Sequence, residues 1–503
     1  MDKYRIILEF NFRESLKLNS RGRIISMSKP FFITTAIDYV NGVPHVGHAT
    51  EKVLTDAVAR FHRDVLGEDT FFLTGTDENS LKNVQGAEAA GKPISEYVDE
   101  NAEAFRALGD SLDLSFDRFI RTTEDIHFDG AQRFWSAMNP DDLYKKKYRG
   151  LYCVGCEEFK LEKDLVDGKC PEHRTEPDVV EEENWFFRLS AYGDRLKGLI
   201  ESGELEITPE FRKNEVLSFI DMGLADFSVS RSVDRAKGWG VPVPGDESQI
   251  MYVWVDALSN YLTALDYAGD GKDYRKYWAG EGERVHVIGK GILRFHAIYW
   301  PAMLLSAGLP LPSTIYTHEY LTIDGAKMSK SLGNVIYPDE LTERFGKDGT
   351  RYLRLSSLPY SKDGDLSWSK MTEKYNADLA NGLGNLVSRV MKLSEKLSED
   401  ERTVPDMPEY PEGVAVLIRE YRLADALENI WETVRESNRY IEEEKPWELA
   451  KNDREKFTGV MRVLRDRLAY FSVALVPFLP DTATRIRTAL ETGESEILFQ
   501  RIK

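Results

Sequence analysis

Phe31-Phe32-Ile33-Thr34-Thr35-Ala36-Ile37, followed by Asp38-Tyr39-Val40-Asn41-Gly42-Val43-Pro44 and then His45-Val46-Gly47-His48, is the stretch that decides the fold. The first seven residues are aromatic, β-branched or small, the composition of a short buried strand. The next seven are rich in turn formers. From His48 to Leu66 the apolar residues recur with helical spacing, and Gly67 supplies a stop. Thr70 to Leu73 reads as the next strand, and two helical stretches cover Leu81 to Leu108. Strand, helix and strand in this rhythm predict an α/β domain with a Rossmann-like, doubly wound parallel sheet.

Outward from there the pattern changes twice. Near Tyr148 helical periodicity fades, and residues 150–180 are rich in Cys, Gly, Glu and Pro, which predicts a small inserted module. The α/β rhythm is expected to resume with strands at Met251-Tyr252-Val253-Trp254-Val255 and Val285-His286-Val287-Ile288-Gly289, and a helix from Leu293 to Ser306. From about Met371 the chain reads as almost wholly helical, with a Pro-rich break from Val404 to Pro411 and helices to about Leu490, an all-α bundle. A chain of 503 residues is too long for one core, so about three domains are expected. The expected division is 1–29 (an extension with no assigned function), 30–147 and 249–311 (the two halves of the α/β domain), 148–248 (a connective insertion), 312–370, and 371–503 (the helical domain).

Composition narrows the classes. The chain carries 66 basic and 85 acidic side chains, a formal charge of −19. That argues against a protein that coats nucleic acid, and it leaves room for local basic patches. No apolar run is long enough to span a bilayer, so no membrane association is expected. Ile6-Ile7-Leu8 is cut short by Glu9 and makes no convincing signal peptide, while Met27 stands as a second candidate start. The three cysteines, an odd and sparse set, do not form a disulfide framework and suggest a reducing cytoplasm.

Three constellations carry chemistry. Pro44-His45-Val46-Gly47-His48 follows a strand and opens a helix, where unpaired N–H groups and the positive dipole end suit phosphate. Its two histidines, three apart, share one face and can donate to phosphate oxygens, and Gly47 lets a flat ring approach the backbone. Lys327-Met328-Ser329-Lys330-Ser331, with Gly333 nearby, makes a cationic arm able to follow charge building on a leaving pyrophosphate. Taken alone, each has a bland reading, surface histidines at a helix start and a solvated basic loop. Cys153-Val154-Gly155-Cys156 and Cys170-Pro171-Glu172-His173 have the spacing of a Cys₃His shell. All three cysteines fall in it, so one tetrahedral zinc held by Cys153, Cys156, Cys170 and His173 is expected, and the closed shell makes it structural.

The pairing of His-x-Gly-His with Lys-Met-Ser-Lys-Ser about 280 residues later resembles the two signatures of class I aminoacyl-tRNA synthetases. Intervals and flanks resemble the methionine-specific family, from about Pro30 to the C-terminal helices, and the zinc set resembles the single-knuckle insertion of some bacterial members. The resemblance implies ATP-dependent formation of methionyl-adenylate and transfer to elongator and initiator tRNA(Met), by a monomer using Mg²⁺ with ATP. It implies that His45, His48, Lys327 and Lys330 stabilise the reacting phosphates, and that Gly47, Glu51, Gly289, Lys290 and Lys330 bind ATP. The methionine pocket would be lined by Ala36, Ile37, Tyr39, Trp254, Ala257, Tyr261, His296 and Trp300, with Asp77 holding the ammonium. Aromatic walls suit a soft, unbranched thioether, although any one of these rings alone reads more simply as core.

Two positions depart from the family. Asn79-Ser80 follows Thr76-Asp77-Glu78 where His-Gly is usual, and Gly291 follows Gly289-Lys290 where an acidic residue is usual. Both put details of ribose or amine contacts in doubt. In the helical tail Asn385 and Arg389 lie one turn apart, and the resemblance makes them, with Trp447, readers of the CAU anticodon. Singly, Trp447 reads as a core aromatic. Other class I synthetases for aliphatic residues carry a longer editing insertion, and the cysteine enzyme places zinc in its amino-acid site. A non-catalytic tRNA-binding paralogue is opposed by intact signatures, and a small nucleotidylyltransferase would lack the pocket and the tail.

Overall fold

The computed structural model of the chain describes residues 16–18, 24–26, 29–153, 158–160, 162, 165–171, 174–328 and 333–503. Its central sheet is built around β1 (Phe31–Thr35). Chain order then gives β2 (Asp38–Tyr39), helix α1 (Val46–Arg60), β3 (Thr70–Asp77), β4 (Arg118–Arg121) and helix α2 (Asp125–Ala137). The long strands β5 (Leu143–Cys153) and β6 (Asp178–Phe187) follow, then β7 (Glu206–Thr208), helix α3 (Val253–Thr263), β8 (Glu283–Gly289) and β9 (Thr314–His318). The sheet order is β7–β9–β8–β1–β3, with β2 and β4 both pairing β3, and every pairing is parallel.

β1 is buried at all five positions because helices cover both faces. Its side chains alternate, as the pleat requires. Phe31 and Ile33 join one apolar cluster, which continues into the C-terminal helices, and Phe32 joins another on the opposite face with Trp278 and Trp300. The carboxyl ends of β1, β8 and β9 emerge together, the edge at which open α/β sheets place their ligands.

The insertion is a hairpin: β5 and β6 pair antiparallel from Leu143↔Phe187 to Tyr152↔Asp178. One expectation is corrected here. The run at Met251–Val255 was read as a single strand, but the antiparallel strand Asp246–Met251 ends there and Val253 already belongs to α3. Short buried apolar runs do not distinguish strand from helix by periodicity; Tyr252, in extended conformation at the α3 N-cap, is where the chain turns.

Helix α4 (Pro338–Ser356) leads into the helical tail, which includes α5 (Asn385–Ser394), α6 (Leu423–Glu444), α7 (Pro446–Asn452), α8 (Arg454–Ala474) and α9 (Pro480–Thr492). Among the described residues no helix is long and apolar enough to cross a membrane.

Helix α1 is buried on nearly every side, and Glu51, Lys52 and Asp56 are buried with it. Buried charges must be paired. Asp56 meets the Arg351 guanidinium of α4 at 2.7 Å and Arg60 at 2.8 Å. Arg351, itself fully buried, also donates to the carbonyls of Phe478 (2.8 Å), Pro477 (3.1 Å) and Leu112 (3.1 Å). One ion pair therefore joins the α/β domain to the helical tail.

Removing one partner of a buried pair leaves the other charge stranded, so Asp56→Ala is expected to lower unfolding stability by about 3–5 kcal/mol in urea titrations. Burial pushes the Asp56 carboxyl up, but Arg351, Arg60 and the Ser115 hydrogen bonds outweigh it and hold the carboxyl below its ordinary value. Its contribution is full above the unfolded carboxylate's pKa, near about 4, and is lost as pH falls through the lower folded value. The stability gap between wild type and Asp56→Ala should accordingly narrow in acid and stay constant above neutrality.

Candidate active site

His45 is the N-cap of α1, in extended conformation, and its Nδ1 accepts from the Gly47 N–H at 3.1 Å. His48 Nδ1 accepts from the His45 N–H at 3.1 Å, which closes a capping box. With each Nδ1 accepting, each neutral ring carries its proton on Nε2 and can donate from there. The two rings stack at 3.7 Å and 13°. A side chain at 47 would meet the His45 ring at 2.9 Å, so glycine is required by this packing.

The second signature comes to the same place. The methyl of Met328 lies 3.7 Å from where a Gly47 side chain would begin. Beyond the loop, the Ile336 carbonyl accepts from the Val46 N–H at 2.9 Å, satisfying one of the open donors at the α1 start. Both ends of the loop are thus pinned at the helix that carries the histidines. Lys327 pairs with Thr322 in a short antiparallel turn of strand; Lys330 lies outside the described residues.

Asp38 anchors the rest of the histidine face. It takes the buried Lys52 ammonium and lies 3.8 Å from His48 Nε2. Burial alone would raise its pKa, but Lys52, then His48 and His45, hold it below the ordinary range. Glu51, expected at ATP, has both carboxylate oxygens engaged by the protein: one accepts from the Ala36 N–H at 3.0 Å and the other meets His318 Nε2 at 2.8 Å. It ties the ends of β1 and β9 together. Burial would lower the His318 pKa, but the Glu51 carboxylate raises it above the ordinary value.

Gly289 ends β8 beside His318 and Tyr320. Lys290 is held by Glu319 at 2.9 Å and Asp363 at 2.6 Å. The Gly291 departure has a local counterpart: the Tyr320 hydroxyl sits 2.0 Å from where a side chain at 291 would begin. The other departure is spent on local structure. Ser80 caps the helix Leu81–Ala90, accepting from the Asn83 N–H, and Asn79 donates to the Thr122 carbonyl at 2.9 Å.

The expected pocket residues converge. Tyr39 is paired in register with Asp77, which is buried, and the Lys82 ammonium lies 4.4 Å from the Tyr39 ring. Ala36 is buried and Ile37 half-buried at the end of β1. From α3, Trp254 stacks on Phe295 at 3.9 Å and stands edge-on to His296. Ala257 and Tyr261 are buried on the same helix, and the Tyr261 hydroxyl lies 2.7 Å from His296 Nε2. Trp300 lies 6.0 Å from the Tyr261 ring.

Sequence reading missed Lys52, His286 and Arg231. Arg231 is buried, donates to Ser228 Oγ at 2.9 Å and the Ser230 carbonyl at 2.7 Å, and covers the Tyr252 ring at 4.2 Å. Only His286, inside the apolar run Val285–Ile288, carried even a weak signal in the sequence; Lys52 and Arg231 lie among polar neighbours.

At the far end, Arg389 of α5 lies over the Trp447 ring at 5.5 Å and pairs with Glu442 at 2.7 Å, and Asn385 is exposed one turn before it. Lys445, in left-handed conformation, makes the turn between α6 and α7 that presents Trp447. In the insertion, Cys153 ends β5 and Cys170 follows a tight turn, both buried. Cys156 and His173 lie outside the described residues, and no metal-holding cluster occurs among those described.

Comparison with known proteins bears on these features. A family model described as "tRNA synthetases class I (M)" matches residues 31–178 and 160–391, and one described as "Anticodon binding domain of methionyl tRNA ligase" matches 411–500. A methionine–tRNA ligase of Caldanaerobacter subterraneus is 41% identical over 493 residues, covering 95% of this chain and 76% of the relative. One from Brucella suis is 42% identical over 473 residues, covering 91% and 90%. The solved structure of a Mycobacterium tuberculosis methionyl-tRNA synthetase in complex with methionyl-adenylate superimposes with a TM-score of 0.84 at 40% identity, covering 91% of this chain and 93% of that one. The chain belongs to the methionyl-tRNA synthetase family of class I aminoacyl-tRNA synthetases.

Proposed function

We propose that this methionine–tRNA ligase activates methionine at the carboxyl edge of its parallel sheet, with the roles divided among the residues described above. The observation that carries the reading is the convergence of the two signatures: Met328 and Ile336, on either side of the Lys330 loop, both touch the first turn of α1. A methionine carboxylate oxygen attacks the α-phosphate of ATP, and the bond to pyrophosphate breaks. The nucleophile is already ionised, so no general base is required. The Nε2–H groups of His45 and His48, at the positive end of α1, stabilise charge on the phosphates, and Lys327 and Lys330 follow it onto the pyrophosphate. Mg²⁺ accompanies ATP as part of the substrate. The methionyl group is then transferred from the adenylate to the 3′ end of elongator or initiator tRNA(Met), releasing AMP.

In this reading Gly47, Gly289 and Lys290 frame the nucleotide, and Ala36, Ile37, Tyr39, Trp254, Ala257, Tyr261, His296 and Trp300 surround the methionine side chain. Asp77 takes its ammonium. Glu51 acts from behind by holding Ala36 and His318. Lys290 reaches ATP only by exchanging one of its two carboxylate partners. The enzyme is proposed to work as a cytoplasmic monomer, with the domain division set out from sequence. Methionine alone should support rapid ATP–pyrophosphate exchange; a preference for leucine, valine or cysteine in that assay would refute the pocket assignment.

Asn385, Arg389 and Trp447 are proposed to read the anticodon. The Arg389–Trp447 contact supports this, because it brings a guanidinium that can hydrogen-bond a base and an aromatic ring that can stack on one to the same place on the helical tail. Losing one stacking residue costs about 1–3 kcal/mol, so Trp447→Ala should raise the tRNA concentration needed for charging roughly ten- to hundredfold. Exchange without tRNA and the melting temperature should stay near wild type. If all three fall together, Trp447 is a core residue.

A structural zinc is proposed in the insertion. Its donor set is chemically apt, with two buried thiols at Cys153 and Cys170 and the other two donors, Cys156 and His173, each three residues further along. When bound, the ion would crosslink the tip of the hairpin formed by β5 and β6 and take no part in the reaction. Metal analysis of protein purified without added zinc should give one ion per chain, and Cys170→Ser should lose it; a metal-free wild type would overturn the assignment.

A further inference from the structure

Behind the aromatic wall lies a second row of polar groups whose hydrogen bonds run in one direction. Trp300 Nε1, which can only donate, lies 3.3 Å from His286 Nε2. With Nε2 accepting, the neutral His286 ring carries its proton on Nδ1, 2.9 Å from Thr34 Oγ1. Thr34 Oγ1 therefore accepts from the His286 ring, which is fixed at both of its nitrogens.

The other end gives the same answer independently. The Ile292 carbonyl can only accept, and it lies 3.0 Å from His296 Nδ1. His296 thus carries its proton on Nδ1, and its Nε2 accepts from the Tyr261 hydroxyl at 2.7 Å. The two lines meet where the Tyr261 ring stacks on His286, while the Tyr261 hydroxyl donates to His296. Reversing any link would set two donors or two acceptors against each other.

None of Thr34, His286, Tyr261, His296 and Trp300 is more than 1% exposed, so water cannot replace a lost partner. The Tyr261 and His286 rings stack at 4.0 Å and 29°. Burial, then His296 and Arg284, keep the His286 pKa well below its ordinary value, and burial brings His296 down to about 4, so both rings are neutral as the chain requires.

We propose that Thr34 and His286 are positioning residues of the methionine pocket: Thr34 and Trp300 fix the His286 ring, whose stacking on Tyr261 holds the Tyr261 hydroxyl toward His296 and presents one fixed pattern of dipoles to the substrate. The inference rests on the assignment of Tyr261, His296 and Trp300 to the methionine side chain.

The test uses the full chain in ATP–pyrophosphate exchange with Thr34→Val, Thr34→Ser and Tyr261→Phe. Thr34→Val keeps shape and removes the hydroxyl; it should raise the methionine KM about tenfold while kcat and the ATP KM stay within about twofold. Thr34→Ser, which restores the hydroxyl, should recover most of the loss. An unchanged methionine KM in Thr34→Val, or a loss shared by all parameters and not recovered by Thr34→Ser, overturns the proposal. Tyr261→Phe separates the two layers. If it leaves the methionine KM unchanged, the pocket assignment fails and this inference with it. If it raises the methionine KM and Thr34→Val does not, the assignment stands and the positioning chain fails. Should Thr34→Val not fold, nitrogen NMR of histidine-labelled wild type decides: both His286 and His296 must be neutral with the proton on Nδ1, and an Nε2–H form of either overturns the chain.

Discussion

The structure depends on the burial of charge along one helix. Helix α1 lies between the sheet and the C-terminal helices, and its inward residues include a glutamate, a lysine and an aspartate. None can remain there unpaired. Lys52 takes Asp38 from the turn after β1, Glu51 takes His318 from the end of β9, and Asp56 takes Arg351 from α4. The same helix carries His45 and His48 at its first turn. The first two pairs also tie the helix that carries the histidines to the carboxyl edge of the sheet, and the third ties it to α4.

Both departures from the family pattern have local counterparts in the fold. At 291 the volume of a missing side chain is taken by the Tyr320 hydroxyl, and the nearby Lys290 finds its carboxylates at Glu319 and Asp363. Glu319 is buried and also holds Arg212, so the negative charge near Lys290 is built into the fold. At 79 and 80 the two polar side chains satisfy backbone groups just after β4, at Thr122, and at the start of the next helix, at Asn83.

The residues proposed for the methionine pocket and for the anticodon differ in kind. Tyr261, His296 and Trp300 are fully buried, and their polar atoms are hydrogen-bonded to neighbouring protein groups. Arg389 and Trp447 are a half-buried pair in a chain that is acidic overall. Local stacking and hydrogen bonding can act there against an unfavourable bulk charge because screening in salt confines bulk fields to about a Debye length, roughly 8–10 Å.

Sequence alone determined the elements and the family. The apolar run at β1, the glycine and histidines that open α1, the second signature and the helical tail are local patterns, and local patterns survive without coordinates. The aromatic residues proposed for the pocket are also named from sequence, because they fall in family order. Tertiary structure decided what each polar residue does. Lys52, Asp56 and His286 sit in ordinary helical or strand patterns, and nothing local separates them from solvated neighbours; only the elements packed against them show that they are buried and with what they pair. The run at Met251–Val255 makes the same point for secondary structure: five apolar residues suit a strand or a buried helix equally, and the choice follows from the packing of α3 against α2. Glu51 is assigned to the nucleotide by family resemblance, and only the structure shows that its carboxylate is engaged by Ala36 and by His318, a partner 267 residues away that no spacing rule reaches.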